Sequence, residues 1–248
     1  MSDGTPTPED RRTSTRRGLH RDAVEAVGMR IVSGELAVGA TLPNETDLGE
    51  DLAVSRTVVR EAVKVLAAKG LVVTRPRTGS RVEPRAKWDL IDHDVLDWII
   101  ATGPSHDFYA DLFEVRAIFE PQAAELAALR RTDAEMRQIE DLLARMEAAG
   151  DDHGAYIEAD LHLHAAILGA SHNELLTRLS STLAVALQAG RRVTTRIAAG
   201  PSSSIPLHRD VVHAIARGRP QAARRAMAAL IRYATRDMEV VLAEEARP

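Results

Sequence analysis

The sequence predicts a mainly helical protein made of two parts, a three-helix head that ends in a β-hairpin and a longer bundle of antiparallel helices. Three observations predict this fold class. Apolar residues recur at helical spacing over most of the 248 residues, and aromatic residues make up only 3%. The two short runs with β propensity both precede residue 85.

Composition excludes several classes of protein. The chain has no cysteine, so disulfides, thiolate nucleophiles and cysteine-ligated metals are excluded, and any metal would need nitrogen and oxygen ligands. No apolar run approaches the roughly 18 residues of a membrane span, and the first residues lack a signal peptide. We therefore expect a cytoplasmic protein with no membrane partner.

The first helix follows an N-terminal leader. Residues 1–17 are rich in Pro, Ser, Thr and Arg and show no apolar periodicity, so they are predicted to be disordered. From Leu19 onward, apolar residues at helical spacing predict a helix that ends at Gly34. Leu36–Pro43 is predicted to be a turn and a short extended segment, because proline stops it.

Two more helices and a hairpin complete the head. Asn44 is a candidate N-cap for the second helix, and Ser55 is a candidate N-cap for the third, which Gly70 ends. The β-prone runs Leu71–Thr74 and Ser80–Pro84 follow, joined by a basic tip. Three helices and a two-stranded wing are the plan of a winged helix-turn-helix domain.

Residues 18–84 are therefore assigned to this domain, where the positive charge is concentrated. The net charge of the chain is −4, yet residues 52–87 carry nine basic residues against two acidic ones. Such a segment can be a solvated surface, but on a helix and wing it favours a DNA duplex, since guanidinium groups and hydroxyls suit guanine edges and phosphates. The candidate DNA-binding residues are Ser55, Arg56, Thr57, Arg60, Lys64, Arg75, Arg77, Thr78 and Gly79.

The rest of the chain is predicted to form the bundle. Residues 85–104, which contain Trp88 and Trp98, are interpreted as a connector and the first bundle helix. Breaks in the helical periodicity predict about six further helices over residues 105–246, which are long enough and apolar enough to form an antiparallel bundle. One recognition helix covers only a half-site, so we expect a homodimer on a two-fold symmetric operator.

Polar residues on the apolar bundle helices are candidates for binding. Asp160 and His164 are four residues apart and project from one helical face, which suits two ligands of one metal ion or contacts to one polar molecule. His208, near the start of a later helix, is a third candidate. His162 falls on another face and is expected at the surface. The buried side of the same helix is predicted to carry Leu161, Ala165 and Leu168.

The segment Leu42–Val82 resembles the DNA-binding domain of the GntR family of bacterial transcription regulators almost position for position. The matching residues are the Ser-Arg-Thr start of the third helix, Arg60 one turn later and Gly79 in the wing. One position departs from the family pattern, because members often carry arginine where this chain has Thr46. The resemblance implies an operator-binding transcription factor but supplies no operator sequence.

The bundle resembles the ligand-binding FCD domain of the FadR-type branch of this family, which implies that residues 105–246 form a domain for effector binding and dimerisation. In many such domains an aspartate and three histidines hold a divalent metal, such as Zn, Ni or Mn, that helps to bind a small carboxylate. Asp160, His164 and His208 match three of these positions and Leu230 occupies the fourth, so at most three ligands are present. Arg116, one turn before Glu120, matches the position that we expect to anchor an effector carboxylate.

The tryptophan-bearing connector is most similar to the sugar-acid branch of the family, the repressors of galactonate or related aldonate operons. The leading hypothesis is a homodimeric repressor that is not an enzyme and whose operator binding responds to a sugar acid, with no certain cofactor. Two alternatives stay open. One is a metal-dependent helical enzyme tethered to nucleic acid, using Asp160, His164 and His208, and the other is an architectural DNA-binding dimer without an effector.

Overall fold

A computed structural model describes residues 8–75, 79–194 and 203–245. The chain forms two compact units that divide between Gly103 and Pro104. Helices dominate both units, as predicted, and the described strands form a single hairpin. Among the described residues, no helix combines the length and apolar character needed to cross a membrane.

The first unit begins with a long helix and a helix-turn-helix pair. Helix α1 spans Pro8–Val32, α2 spans Glu45–Asp51 and α3 spans Arg56–Ala68. Helix α1 thus includes residues 8–17, which the sequence pattern assigned to a disordered leader. These residues lack the apolar stripe that reveals a helix in sequence, but Arg and Glu have good helix propensity and can extend a helix that is anchored further along.

Side-chain caps define the two short helices as the sequence predicts. The Asn44 side chain accepts from the N–H groups of Thr46 and Asp47 at 2.9 and 3.0 Å, and the Ser55 hydroxyl accepts from the N–H of Val58 at 3.4 Å. The turn between the helices contains Ala53, which adopts a left-handed backbone with φ of 53°. Ile31 of α1, Leu48 of α2 and Leu66 of α3 are fully buried, as is Leu71 immediately before the first strand.

The wing is an antiparallel hairpin of β1 (Val72–Arg75) and β2 (Gly79–Val82). Its register runs from Val72 opposite Val82 to Arg75 opposite Gly79. The predicted DNA-binding residues Arg77 and Thr78 lie outside the described residues.

The connector belongs to the head, which corrects the assignment of residues 85–104 to the bundle. After a short 3₁₀ turn at Arg85–Lys87, helix α4 spans His93–Ala101 and packs against α1. The ring of Trp98 lies so close to Gly28 that a Cβ there would be 2.5 Å from it. The apolar pattern of α4 shows that the helix buries one face, but only the structure shows that this face covers α1.

The second unit contains six helices among its described residues, in line with the number that the sequence predicts. They are α5 (His106–Arg130), α6 (Asp133–Ala148), α7 (His153–Ala170), α8 (Glu174–Thr194), α9 (Ile205–Ala216) and α10 (Pro220–Glu245). Helix α5 packs along α10, and α6 packs along α7. A capping box at Thr132 and Glu135 starts α6.

Helix α7 is buried on a wider face than predicted. Leu163 and Ile167 are 0% and 1% exposed, whereas Leu161 is half-buried and Ala165 is exposed. Of the three residues predicted to mark the buried side, only Leu168 is fully buried. Twelve of the 16 positions between Ala155 and Ala170 are small or apolar, so the sequence pattern alone did not show which face of α7 is buried.

Candidate functional site

The recognition helix α3 exposes one polar face in the first unit. Ser55, Arg56, Thr57, Arg60 and Lys64 are all exposed, as are Arg75 and Gly79 of the wing. The opposite face of α3 is buried through Val58, Val59, Ala62 and Leu66. The structure thus brings the described candidates to the surface of the head, in the arrangement that a helix entering a DNA groove requires.

The cations on this unit are not all available to an external anion. The Arg60 guanidinium donates to the Glu45 carboxylate, and Lys64 donates to Glu61 at 2.8 Å. Lys69 lies at the end of α3 with its side chain only 12% exposed, in ion pairs with Asp92 at 2.6 Å and Asp94 at 2.7 Å. The excess of positive charge counted along residues 52–87 therefore overstates the charge that faces solvent.

The second unit contains a cluster of buried polar side chains, which we call the polar cluster: Arg116, Glu120, Asp160, His164 and His208. Each is at most 4% exposed. Arg116 and Glu120 come from α5, Asp160 and His164 from α7, and His208 from the first turn of α9. The structure thus brings together all four residues that the sequence nominated for the effector site. It adds Glu120, which bonds directly to two of the other members.

Glu120 joins helices α5 and α7. It accepts from Arg116 Nε at 2.6 Å through Oε1 and from His164 Nδ1 at 2.5 Å through Oε2. Burial alone would raise the pKa of Glu120, but the charges of Arg116 and His164 and the hydrogen bonds from them outweigh that effect and hold the pKa far below its usual range. The spacing of Arg116 and Glu120, four residues apart on a helix, is the sequence signal that could have identified this pair.

Hydrogen bonds fix how both histidines face Asp160. Because a carboxylate and a carbonyl can only accept, His164 Nδ1 donates to Glu120 and His208 Nδ1 donates to the carbonyl of Ser204 at 2.9 Å. The Nε2 atoms then point inward, at 2.8 Å (His208) and 3.7 Å (His164) from Asp160 Oδ1. A nitrogen lone pair 2.8 Å from a carboxylate oxygen is repulsive, so this geometry requires a proton or a metal cation between the two atoms.

This donor set fits a divalent metal. One ligand atom from each of Asp160, His164 and His208 lies within 4.8 Å of the others, and all three residues are buried. Histidines whose Nδ1–H is held by a carboxylate or a carbonyl are typical metal ligands, since the second hydrogen bond orients the ring. The matched fourth position, Leu230, is buried and apolar, so these residues could provide a three-ligand site with open positions.

A cavity of about 600 Å³ adjoins the polar cluster. Glu120 and His164 line it, whereas Arg116, Asp160 and His208 are not among its lining residues. His162, expected at the surface, is exposed and lines the cavity, together with other polar residues that sequence patterns did not single out: Glu158, Thr177 and Gln188. Leu161, Ala165 and Leu168 supply part of its apolar wall.

Two family models match the chain, in the same order as the two units. The model "Bacterial regulatory proteins, gntR family" matches residues 19–82, and "FCD domain" matches residues 111–233. The "Galactonate operon transcriptional repressor" of Escherichia coli (strain K12) is 34% identical over 222 residues, which cover 88% of this chain and 96% of the relative. "Uncharacterized HTH-type transcriptional regulator YieP" of the same strain is 34% identical over 221 residues, covering 88% and 95%.

Fold comparison agrees with these matches. The solved structure of Lar, which controls the expression of the Listeria monocytogenes agr system, superposes with a TM-score of 0.61 at 18% identity and covers 89% of this chain and 96% of the other. A winged helix-turn-helix head and a helical domain with a buried polar cluster define a DNA-binding transcription regulator, and the matched families are regulators rather than enzymes. The chain belongs to the GntR family and carries an FCD domain.

Proposed function

We propose that this regulator represses transcription as a homodimer in the cytoplasm, and that a small carboxylate bound at the polar cluster changes its affinity for a DNA operator. The residues of α3 that we assign to the operator are Ser55, Arg56, Thr57, Arg60 and Lys64. The wing contributes Arg75 and Gly79, together with Arg77 and Thr78 beyond the described residues. One observation carries the effector part of this proposal: buried charged residues from three helices converge beside a cavity of about 600 Å³.

With a divalent cation bound, the charges of the polar cluster would favour an anionic effector. Arg116 and Glu120 neutralise each other, so Asp160 is the remaining carboxylate against two histidines. A divalent cation at Asp160, His164 and His208 would supply positive charge in excess of that carboxylate. Arg116 donates to Glu120 through Nε, and Glu120 rather than Arg116 lines the cavity, so the direct pairing with a carboxylate that the sequence predicts requires the terminal N–H groups of Arg116 to reach the cavity.

The effector that we propose is a sugar acid such as galactonate or a related aldonate. One of the full-length relatives is named for the galactonate operon, and another, from Paenarthrobacter nicotinovorans, is named "Probable D-xylose utilization operon transcriptional repressor". Glu158, His162, Thr177 and Gln188 line the same cavity as His164, where they can bond hydroxyl groups of a bound acid. The effector must bind two conformations of the regulator differently to change its operator affinity.

The DNA part is tested with a duplex that the wild-type protein selects from a randomised library. Arg56→Ala removes an exposed cation from the recognition helix, and we expect operator binding in a gel-shift titration to fall at least tenfold. Arg145→Ala is the matched control, because Arg145 is an exposed arginine of α6 in the second unit. Equal affinities of the two variants would refute the assignment of the recognition helix.

The effector part is tested by thermal unfolding of the full chain with a panel of aldonic and uronic acids, each with and without a chelator. We expect one acid to raise the unfolding temperature and to change operator affinity, and chelation to weaken its effect if the metal takes part. His164→Ala should abolish the response, while the control His172→Ala, which removes an exposed histidine paired with Glu135, should not. An architectural dimer without an effector predicts no response to any acid.

A further inference from the structure

Arg60 of the recognition helix is held by a carboxylate from the neighbouring helix. Its Nε donates to Glu45 at 3.1 Å (Oε1) and 3.3 Å (Oε2), and its Nη2 donates to Oε2 at 2.9 Å. Both side chains are about half exposed, Arg60 at 58% and Glu45 at 43%. The contact therefore lies on the surface that α3 presents to solvent.

The other cations of this surface are held differently. Lys64 pairs with Glu61 three residues earlier on α3, a contact between neighbours on one helix. Arg56 forms no ion pair with the residues that the structure describes. Of these exposed cations of α3, Arg60 is thus the one whose side chain is held by a second helix. The orientation of its guanidinium then depends on how α2 packs against α3.

The packing of α2 against α3 leaves little freedom for the Glu45 backbone. Glu45 is the first residue of α2, immediately after the cap formed by Asn44. At Gly49, one turn further on, an added Cβ would lie 2.9 Å from the carbonyl of Val54. This close approach holds the end of α2 against the turn that leads into α3, and α2 as a whole packs against α3. The Glu45 carboxylate is accordingly an anchored acceptor for Arg60.

Only one edge of the Arg60 guanidinium is used in this contact. Nε and one N–H of Nη2 are directed at Glu45, so the N–H groups of Nη1 and the second N–H of Nη2 are left on the outer edge. Two parallel N–H groups of this kind match the O6 and N7 acceptors of guanine in the major groove. A carboxylate that fixes the inner edge therefore restricts the directions in which the outer edge can donate.

We propose that Glu45 is a positioning residue that orients Arg60 to recognise a guanine in each half-site, an inference that rests on the proposed DNA-binding role of α3. The carboxylate itself is repelled by the phosphates, so it lowers affinity for any duplex while sharpening the choice of base. The loss of affinity for any duplex and the gain in selectivity for one base can be measured separately. The hydrogen bond from Arg60 and the charges nearby lower the pKa of Glu45, which therefore carries its charge at neutral pH.

The test compares Glu45→Gln with Glu61→Gln in the full-length protein. Each variant removes one negative charge from an exposed ion pair on the same surface, but only the first releases Arg60. The probes are the duplex selected by the wild-type protein, the same duplex with each half-site base pair changed in turn, and an unrelated duplex. We expect Glu45→Gln to lose about tenfold in discrimination at one G·C pair per half-site, with unchanged or tighter binding to the unrelated duplex. Glu61→Gln should keep the full discrimination.

A double-mutant cycle separates this inference from the role of α3 itself. Arg60→Ala should lose discrimination at the same base pair, and adding Glu45→Gln to it should have no further effect. If Glu45→Gln discriminates as well as Glu61→Gln while Arg60→Ala does not, the positioning role is refuted and the DNA-binding role of Arg60 stands. If Arg60→Ala keeps full discrimination, both are refuted. Unchanged tryptophan fluorescence confirms that each variant is folded.

Discussion

Lys69→Met tests whether the ion pairs at the end of the recognition helix attach the connector to the head. The Lys69 ammonium donates to both oxygens of Asp92 at 2.6 and 2.7 Å and also pairs with Asp94. Asp92 is the N-cap of α4 and Asp94 lies in its first turn. Methionine preserves the buried aliphatic length of lysine, so the substitution removes the charge with little loss of packing.

The loss of stability follows from how exposed each contact is. A hydrogen bond to a charged group contributes about 1.5–3 kcal/mol when it is buried. The Lys69 side chain is 12% exposed and Asp92 25%, so this pair should lie near the lower part of that range. Asp94 is 54% exposed, and an exposed pair adds less than about 1 kcal/mol. We therefore expect Lys69→Met to lower the free energy of unfolding of the first unit by about 2–3 kcal/mol.

Urea unfolding followed by tryptophan fluorescence measures this effect in the full chain. The sequence contains two tryptophans, Trp88 and Trp98, and both are buried in the first unit. Lys64→Met is the matched control, because Lys64 is 65% exposed and pairs only with Glu61 on its own helix. The control should change stability by less than about 0.5 kcal/mol. If the two variants unfold within 0.5 kcal/mol of each other, the ion pairs do not stabilise the connector on the head.

Two further predictions concern pH and the polar cluster. Burial alone would raise the pKa of Asp92, but its hydrogen bonds, chiefly from Lys69, outweigh burial and lower the pKa below 3.8. The free energy of unfolding measured by fluorescence should therefore be constant above about pH 4 and fall as the pH drops below it. This fall should be smaller in Lys69→Met, in which Asp92 has lost its lysine partner. Glu120→Gln leaves Arg116 buried without its counter-ion and should lower the free energy of unfolding of the second unit by about 3–5 kcal/mol, measured by far-UV circular dichroism. The control Asp141→Asn, which breaks an exposed ion pair with Arg145, should lower it by less than about 0.5 kcal/mol. If the stability of the wild type and of Lys69→Met falls equally steeply below pH 4, the pH prediction is contradicted. If Glu120→Gln loses as little stability as Asp141→Asn, the prediction for the polar cluster is contradicted.

Local signals made much of the fold predictable. The caps at Asn44 and Ser55 and the hairpin runs on either side of residues 76–78 depend on residues that are close in sequence, so one chain suffices to detect them. Residues 8–17 have no apolar stripe to mark a helix, so no pattern among neighbouring residues indicates this part of α1.

The candidate site was predicted in part. Asp160 and His164 share a helical face, His208 stands near the start of a later helix, and the resemblance to FCD domains added Arg116. Glu120 was overlooked as the acceptor for both Arg116 and His164, because spacing along α5 shows one of these bonds and only the packing of α5 against α7 creates the other.

The sequence by itself determined the two-part architecture, the exposed cations of α3 and the identity of most polar residues in the bundle, because helix periodicity and caps are properties of neighbouring residues. Tertiary structure decided what those side chains do. It assigned α4 to the head through Trp98 and Gly28, and it removed Lys69 from the surface that can meet DNA. It also directed Nε2 of both histidines at Asp160, because each Nδ1 is held by another group. His164 Nδ1 bonds Glu120, 44 residues away in sequence, and His208 Nδ1 bonds the carbonyl of Ser204, one helical turn away.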